Sequence, residues 1–194
     1  MQGLALLLHR AADGPALVVA PKSVCAGWVS EAQRFAPTLR LHRLARATDR
    51  AGLVQSVGAG DVIVCSYGLL TSNADLLGAV EWSTVVLDEA QHIKNASTKR
   101  AAAAFGLQAR FRLACTGTPI ENRLSELWSL FRFLNPGLLG SERTFGQTWR
   151  IPIEQSGDRE ARASLRRRRC RSCSGVRRGR CSMSCPRGPT SPFA

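Results

Sequence analysis

The 194 residues, 44% of them hydrophobic, are enough for one domain with a real core and too few for two of ordinary size. No apolar run approaches the ~20 residues needed to cross a bilayer. The opening MQGLALLLHR has neither the basic start nor the small-residue cleavage site of a signal peptide, so the chain is expected in the cytoplasm with no membrane contact. The net charge of +13 is uneven: residues 1–150 carry 16 Lys plus Arg against 11 Asp plus Glu, and residues 151–194 carry 11 against 3, giving two compositional regimes.

The first regime alternates strand and helix patterns. ALVVA (16–20), DVIVC (61–65), STVVLD (83–88) and RFRLACTG (110–117) are short β-branched or continuously apolar runs, as expected of strands buried on both faces. LRLHRL (39–44) alternates and is a further strand candidate. Between them, SVCAGWVSEAQRFA (23–36) can place Val24, Trp28 and Phe35 on one side of a helix, and STKRAAAAFGLQ (97–108) is an alanine-rich helix. RLSELWSLFRFLN (123–135) sets Leu124, Leu127, Trp128, Phe131 and Leu134 at helical spacing. The series predicts an α/β fold with a doubly wound, mainly parallel sheet. Ligands of such sheets bind beyond the carboxyl ends of the strands.

That rule gives meaning to VVLDEAQHIKN (85–95), where an apolar strand runs directly into Asp88 and Glu89. Carboxylates at a strand's carboxyl edge lie outside the core and can hold a hard cation or a water. A cap on the following turn is the plainer reading of the pair by itself. TGTP (116–119), read alone, is likewise a strand-ending turn favoured by Gly and Pro.

The ordered set VVAPKSVCAGWVSEAQRFAP, DVIVCSYGLL, VVLDEAQHIKN and RLACTGTPIENRLSELWSLFRFLNPGLLGS resembles motifs Ia, Ib, II and III of the Swi/Snf-type ATP-dependent DNA translocases, within helicase superfamily two. The resemblance covers residues 1–150 and implies a partial first RecA-like lobe of the P-loop NTPase type, with ATP and Mg²⁺ as cofactors and double-stranded DNA as partner. By that resemblance Asp88 helps hold Mg²⁺ on the nucleotide phosphates and Glu89 polarises the attacking water. Gln91 and His92 link the ATP state to motif III, and Thr116, Gly117, Thr118 and Pro119 form motif III, which couples hydrolysis to movement. Pro21, Lys22 and Ser23 of motif Ia, with Ser66 and Tyr67 of motif Ib, fall where the family grips one strand's phosphates, contacts that fix position without reading sequence. Lys22 is equally readable as a solvated loop charge. Trp28 and Trp128 are read as core rather than as base-stacking residues. His9 and His42 show no partner pattern and are expected at the surface or its boundary.

The departures from the family are at the ends. No G-x-x-x-x-G-K-[ST] phosphate loop occurs in the 194 residues. In the family that loop directly precedes a helix similar to residues 2–8, so the chain is expected to start just after it, with Met1 an internal methionine of a longer frame or a truncated start. Residues 151–165 still resemble the family's linker toward a second lobe. Residues 166–194 become rich in Arg, Ser, Cys, Gly and Pro and are expected to be disordered. Three readings of this tail stand: a zinc site from Cys170, Cys173, Cys181 and Cys185, a basic arm for nucleic acid, and a frameshifted end, the one preferred on composition. Cys25, Cys65 and Cys115, scattered singly in apolar stretches, are read as reduced core thiols.

The resulting expectation is a fragment of a Swi/Snf-type ATPase that remodels protein–DNA complexes, inactive by itself because phosphate loop and second lobe are wanting. The alternatives are a nucleic-acid- or partner-binding module without catalysis and a gene remnant without function. A second helicase lobe is a candidate partner.

Overall fold

The computed structural model describes residues 2–117 and 124–173, and these fall into two compact units divided between Phe145 and Gly146. In the first unit, helix α1 (Gln2–His9) turns Leu4 and Leu7 inward and leads to strand β1 (Ala16–Ala20), buried at every residue. Helix α2 (Cys25–Phe35) follows, then β2 (Arg40–Arg43) and α3 (Arg50–Ser56), whose first turn is capped by the Asp49 carboxylate accepting from the Gly52 N–H. Strand β3 (Asp61–Ser66) runs into α4 (Tyr67–Ser72), capped by the Ser66 hydroxyl, and α5 (Ala74–Gly78). Strand β4 (Glu81–Leu87) ends in a tight 3₁₀ turn at Ala90–Ile93. Helix α6 (Lys99–Phe105), capped by Thr98, strand β5 (Gln108–Ala114), α7 (Leu124–Leu134) and α8 (Glu142–Phe145) complete the unit.

Among the described residues five strands make one sheet in the order β2-β3-β1-β4-β5, with every pairing parallel. Alternation along the strands divides the core in two. Leu17, Val19, Ile63, Cys65, Val85 and Leu87 face α4 to α7, whereas Ala16, Val18, Ala20, Val62, Val64 and Val86 face α1 and α2. From central β1 the chain passes to the edge strand β2, returns to β3 between them, then crosses to β4 and β5 on the other side of β1. The loops leaving β1 and β4 therefore diverge, opening the crevice in which such sheets bind ligands.

Four expectations are corrected by the fold. On α2 the inward stripe is Cys25 and Ala32 with Trp28 and Val29 half-buried, while Val24 and Phe35 are 36% and 47% exposed. The helix begins after Val24, and small residues let it approach the sheet closely. Strand β5 is not buried on both faces, because it lies at the sheet edge with a neighbour on one side only; Arg112 sits in its middle, donating to the Leu107 and Phe133 carbonyls and stacked 5.3 Å from the Phe133 ring. His42 has a partner after all, its Nε2 lying 2.9 Å from Asp61 Oδ1. In the second unit, helix α9 (Ile151–Ser156) stops at Gly157, whose φ of +63° suits glycine, and helix α10 (Arg159–Cys173) then continues through residues 166–173, expected to be disordered. Asp158 caps it with bonds of 2.8 and 3.0 Å from the Glu160 and Ala161 N–H groups, and Arg and Ala are strong helix formers.

Candidate active site

The carboxyl ends of β1, β3, β4 and β5 lie side by side: Ala20 is level with Ser66, Val19 with Leu87, and Leu87 with Ala114. Pro21, Tyr67, Asp88 and Cys115, next along each strand, are thus brought to one edge. Asp88 extends the ladder through its N–H to the Val19 carbonyl at 2.8 Å, and its own carbonyl accepts the Tyr67 hydroxyl at 2.8 Å. Its side chain emerges half-buried. Oδ1 accepts the Glu89 N–H at 3.0 Å and Oδ2 accepts the Trp28 indole N–H at 2.9 Å.

Glu89 takes φ 51° and ψ 54°, the left-handed region, and among the described residues no other non-glycine has positive φ. For a glutamate this costs about 1–2 kcal/mol, a strain that recurs at functional positions. The bonds around it hold it there: Ala90 N–H reaches the Cys115 carbonyl at 2.7 Å, and Cys115 N–H returns to the Leu87 carbonyl at 2.8 Å. The turn lifts the Glu89 carboxylate toward the end of β5. There Oε2 accepts Gln91 Nε2 at 2.7 Å and the Gly117 N–H at 3.4 Å, while Gln91 Oε1 accepts the Thr116 hydroxyl at 2.9 Å. A continuous chain Thr116 to Gln91 to Glu89 therefore joins the two strand ends. Among the described residues both bonds to the Glu89 carboxylate fall on Oε2.

His92 is placed beside this chain rather than in it. Its ring lies 4.8 Å from the Tyr67 ring, tilted by 40°, and Nδ1 is 3.3 Å from Arg100 Nη1. Tyr67 is buried, and burial together with the charges of Asp88 and Glu89 pushes its phenol well above the usual range. Its hydroxyl donates to the Asp88 carbonyl, and the neighbouring Ser66 hydroxyl accepts the Leu69 N–H and so caps α4. Lys22 and Ser23 are exposed, and Pro21 is half-buried with its carbonyl accepting the Val24 and Cys25 N–H groups at 2.9 and 3.2 Å. Thr118 and Pro119 lie outside the described residues, as do the side chains of Cys170 and Cys173 and all of Cys181 and Cys185.

Two residues at this edge had no sequence signal. Trp28 packs half-buried against the core as expected, and its N–H also donates to Asp88, 60 positions away in sequence. Arg43, at the carboxyl end of β2, keeps a buried Nε with no hydrogen-bond partner among the described residues. Cys25, Cys65 and Cys115 flank the site as free thiols, each pushed up by burial, with the Asp88 charge a smaller contributor for Cys25 and Cys115.

A parallel sheet with an acidic pair at its carboxyl edge, joined by a glutamine to the next strand end, defines a RecA-like ATPase lobe of the helicase type. The SNF2-related domain family matches residues 2–173. The chain belongs to that family. It is 42% identical over 164 residues to YwqA of Bacillus subtilis, whose name places it among ATP-dependent helicases and translocases, covering 81% of this chain and 18% of YwqA. It is 39% identical over 155 residues to human TATA-binding protein-associated factor 172, covering 78% of this chain and 8% of that protein. The Sulfolobus solfataricus SWI2/SNF2 ATPase core in complex with dsDNA superposes with a TM-score of 0.74 at 38% identity, over 85% of this chain and 34% of that one. The chain thus spans less than a fifth of these curated relatives and about a third of the solved core. Among the described residues no helix is long and apolar enough to cross a membrane.

Proposed function

We propose that these residues form the part of a Swi/Snf-type translocase lobe that holds Mg²⁺ with ATP at Asp88, orients the attacking water with Glu89 and signals the outcome to motif III, in service of movement along double-stranded DNA. The observation that carries this is the chain from Thr116 through Gln91 to Glu89, since it makes the position of the water-orienting carboxylate depend on the end of β5. The donor set fits Mg²⁺ arriving with a nucleotide. Among the described residues no three His, Cys, Asp or Glu side chains could cage a metal, and Asp88 offers one half-buried carboxylate with acceptor capacity beyond the two bonds it receives, the kind of site Mg²⁺ shares with waters and phosphate oxygens. When bound, the ion supplies charge neutralisation on the phosphates. Gln91 and the Gly117 N–H steady Glu89 Oε2, so Oε1 can orient a water in line.

The likeness to the Sulfolobus core in complex with dsDNA supports assigning the loops at this edge to phosphate contacts, with Lys22, Ser23 and Ser66 as the side chains and Arg43 as a further cation. The 194 residues contain no glycine-rich phosphate loop, so this polypeptide alone should turn over ATP negligibly, with or without duplex DNA. Grafted into the Sulfolobus core in place of the matching segment, it should restore DNA-stimulated turnover, and Glu89→Gln should lower that by about 10²–10⁴-fold. DNA-stimulated turnover by the 194-residue chain itself, or full turnover in the Glu89→Gln graft, contradicts the reading.

The net charge of +13 favours a second reading, salt-sensitive nucleic-acid binding without catalysis. Binding lost on removing residues 159–194 assigns it to the Arg-rich segment. Binding kept by that truncation and lost with Lys22→Ala and Ser66→Ala assigns it to the lobe.

A further inference from the structure

The Trp28 indole lies between two elements that sequence gives no reason to connect. Its N–H donates to Asp88 Oδ2, 2.9 Å away, and so joins α2 to the end of β4. Its six-membered ring rests against α1 at Gly3, where a Cβ would stand 2.6 Å from Cη2 and 3.4 Å from Cζ3. Gly3 stands in the first turn of α1, and its missing side chain is what lets the ring approach.

We infer that Trp28 is a positioning residue for Asp88, and that Gly3 lets α1 set where the indole stands. This rests on the reading of Asp88 as the carboxylate that holds Mg²⁺. Of the four bonds that fix Asp88, three come from the strand ends and the turn itself: N–H to Val19, carbonyl from Tyr67, Oδ1 from Glu89. The fourth is the indole, and it is the one that sets Oδ2. Without it the carboxylate is fastened at one oxygen and can rotate. The chemistry of the donor suits the task. An indole gives a single N–H and no charge, so it orients the anion without neutralising it, whereas an Arg or Lys would compete with the cation. Two of the carboxylate's roughly four acceptor positions are then occupied, which leaves about two for a cation. A displacement of α1 moves the ring and therefore Oδ2, which ties the helix at the start of the lobe to its acidic edge.

The test is the indole N–H spectrum of the ¹⁵N-labelled 194-residue chain, which has four tryptophans. Trp28→Phe identifies the Trp28 signal, and the other three report on folding. Asp88→Ala should move that signal upfield and speed its exchange with water, and Gly3→Ala should shift it by displacing the ring without removing the donor. Mn²⁺ affinity in the presence of ATP, read by water-proton relaxation in the Sulfolobus graft that supplies a phosphate loop, should fall about 10-fold or more with Trp28→Phe, the usual consequence of losing an outer partner of a metal ligand. A Trp28 signal unmoved by Asp88→Ala, with the other three retained, overturns the tie. A moved signal with equal Mn²⁺ affinity in the unsubstituted and Trp28→Phe grafts overturns the positioning role. ATP-dependent Mn²⁺ binding undiminished in both the Asp88→Ala and the Trp28→Phe graft overturns the reading of Asp88 on which the inference rests, while leaving the indole contact itself intact.

Discussion

Replacing Asp61 by Asn tests the clamp that closes the outer half of the sheet. Asp61 opens β3 with its side chain 12% exposed, and accepts Arg40 Nε at 2.9 Å, Arg40 Nη2 at 3.1 Å and the Gly58 N–H at 2.9 Å, with His42 Nε2 also at 2.9 Å. Burial pushes this carboxyl up, but the Arg40 guanidinium, the Gly58 N–H and the His42 ring outweigh burial and hold it well below the usual carboxylate range. The Arg40 side chain is 60% exposed, so solvent screening limits that pair to below about 1 kcal/mol. The bond from the Gly58 N–H to a charged carboxylate is worth about 1.5–3 kcal/mol, part of which a neutral amide oxygen keeps. Asp61→Asn should therefore destabilise the chain by about 2 kcal/mol near neutral pH, a fall of about 4–8 °C in melting midpoint.

The sign in acid follows from the depressed pKa. The stabilisation is complete above the unfolded carboxylate value of about 3.9 and is lost as pH falls through that value toward the folded one. Melts followed by circular dichroism should show a constant gap between wild type and Asp61→Asn from neutral pH to about 5, narrowing below about 4. No gap at neutral pH, or one that widens in acid, refutes the reasoning.

Tyr67→Phe leaves the Asp88 carbonyl without its buried donor and should cost about 1–3 kcal/mol, seen as a lowered melting midpoint. Cys25, Cys65 and Cys115, all pushed up by burial, should alkylate slowly at mildly alkaline pH in the native chain and fast in denaturant, read by peptide-resolved mass spectrometry. Gln91→Ala in the Sulfolobus graft removes the bridge between Glu89 and Thr116. It should lower DNA-stimulated turnover while leaving duplex binding unchanged, measured by fluorescence anisotropy alongside ATP hydrolysis.

Short-range pattern was sufficient for the parts of this lobe that short-range physics dictates. Continuous β-branched runs can be satisfied only between two helical layers, so β1, β3 and β4 were legible, and a carboxylate pair after an apolar run had to lie at an edge. The order of the motifs carried the family, and with it the roles proposed for Asp88, Glu89 and Gln91. What sequence could not give depends on which elements become neighbours. The half-exposure of β5 follows from its place at the sheet edge, not from its composition. The inward face of α2 depends on where the helix begins, a matter of one residue that moved Val24 out and Cys25 in. His42 acquires a partner only because β2 pairs with β3, which sets it beside Asp61. Glu89's left-handed backbone is imposed by bonds to residues 115 and 117, and Trp28 meets Asp88 only once the sheet has put β1 next to β4. Strand register and crossover direction brought these groups within hydrogen-bonding distance, and such bonds between distant positions leave no periodicity in the chain.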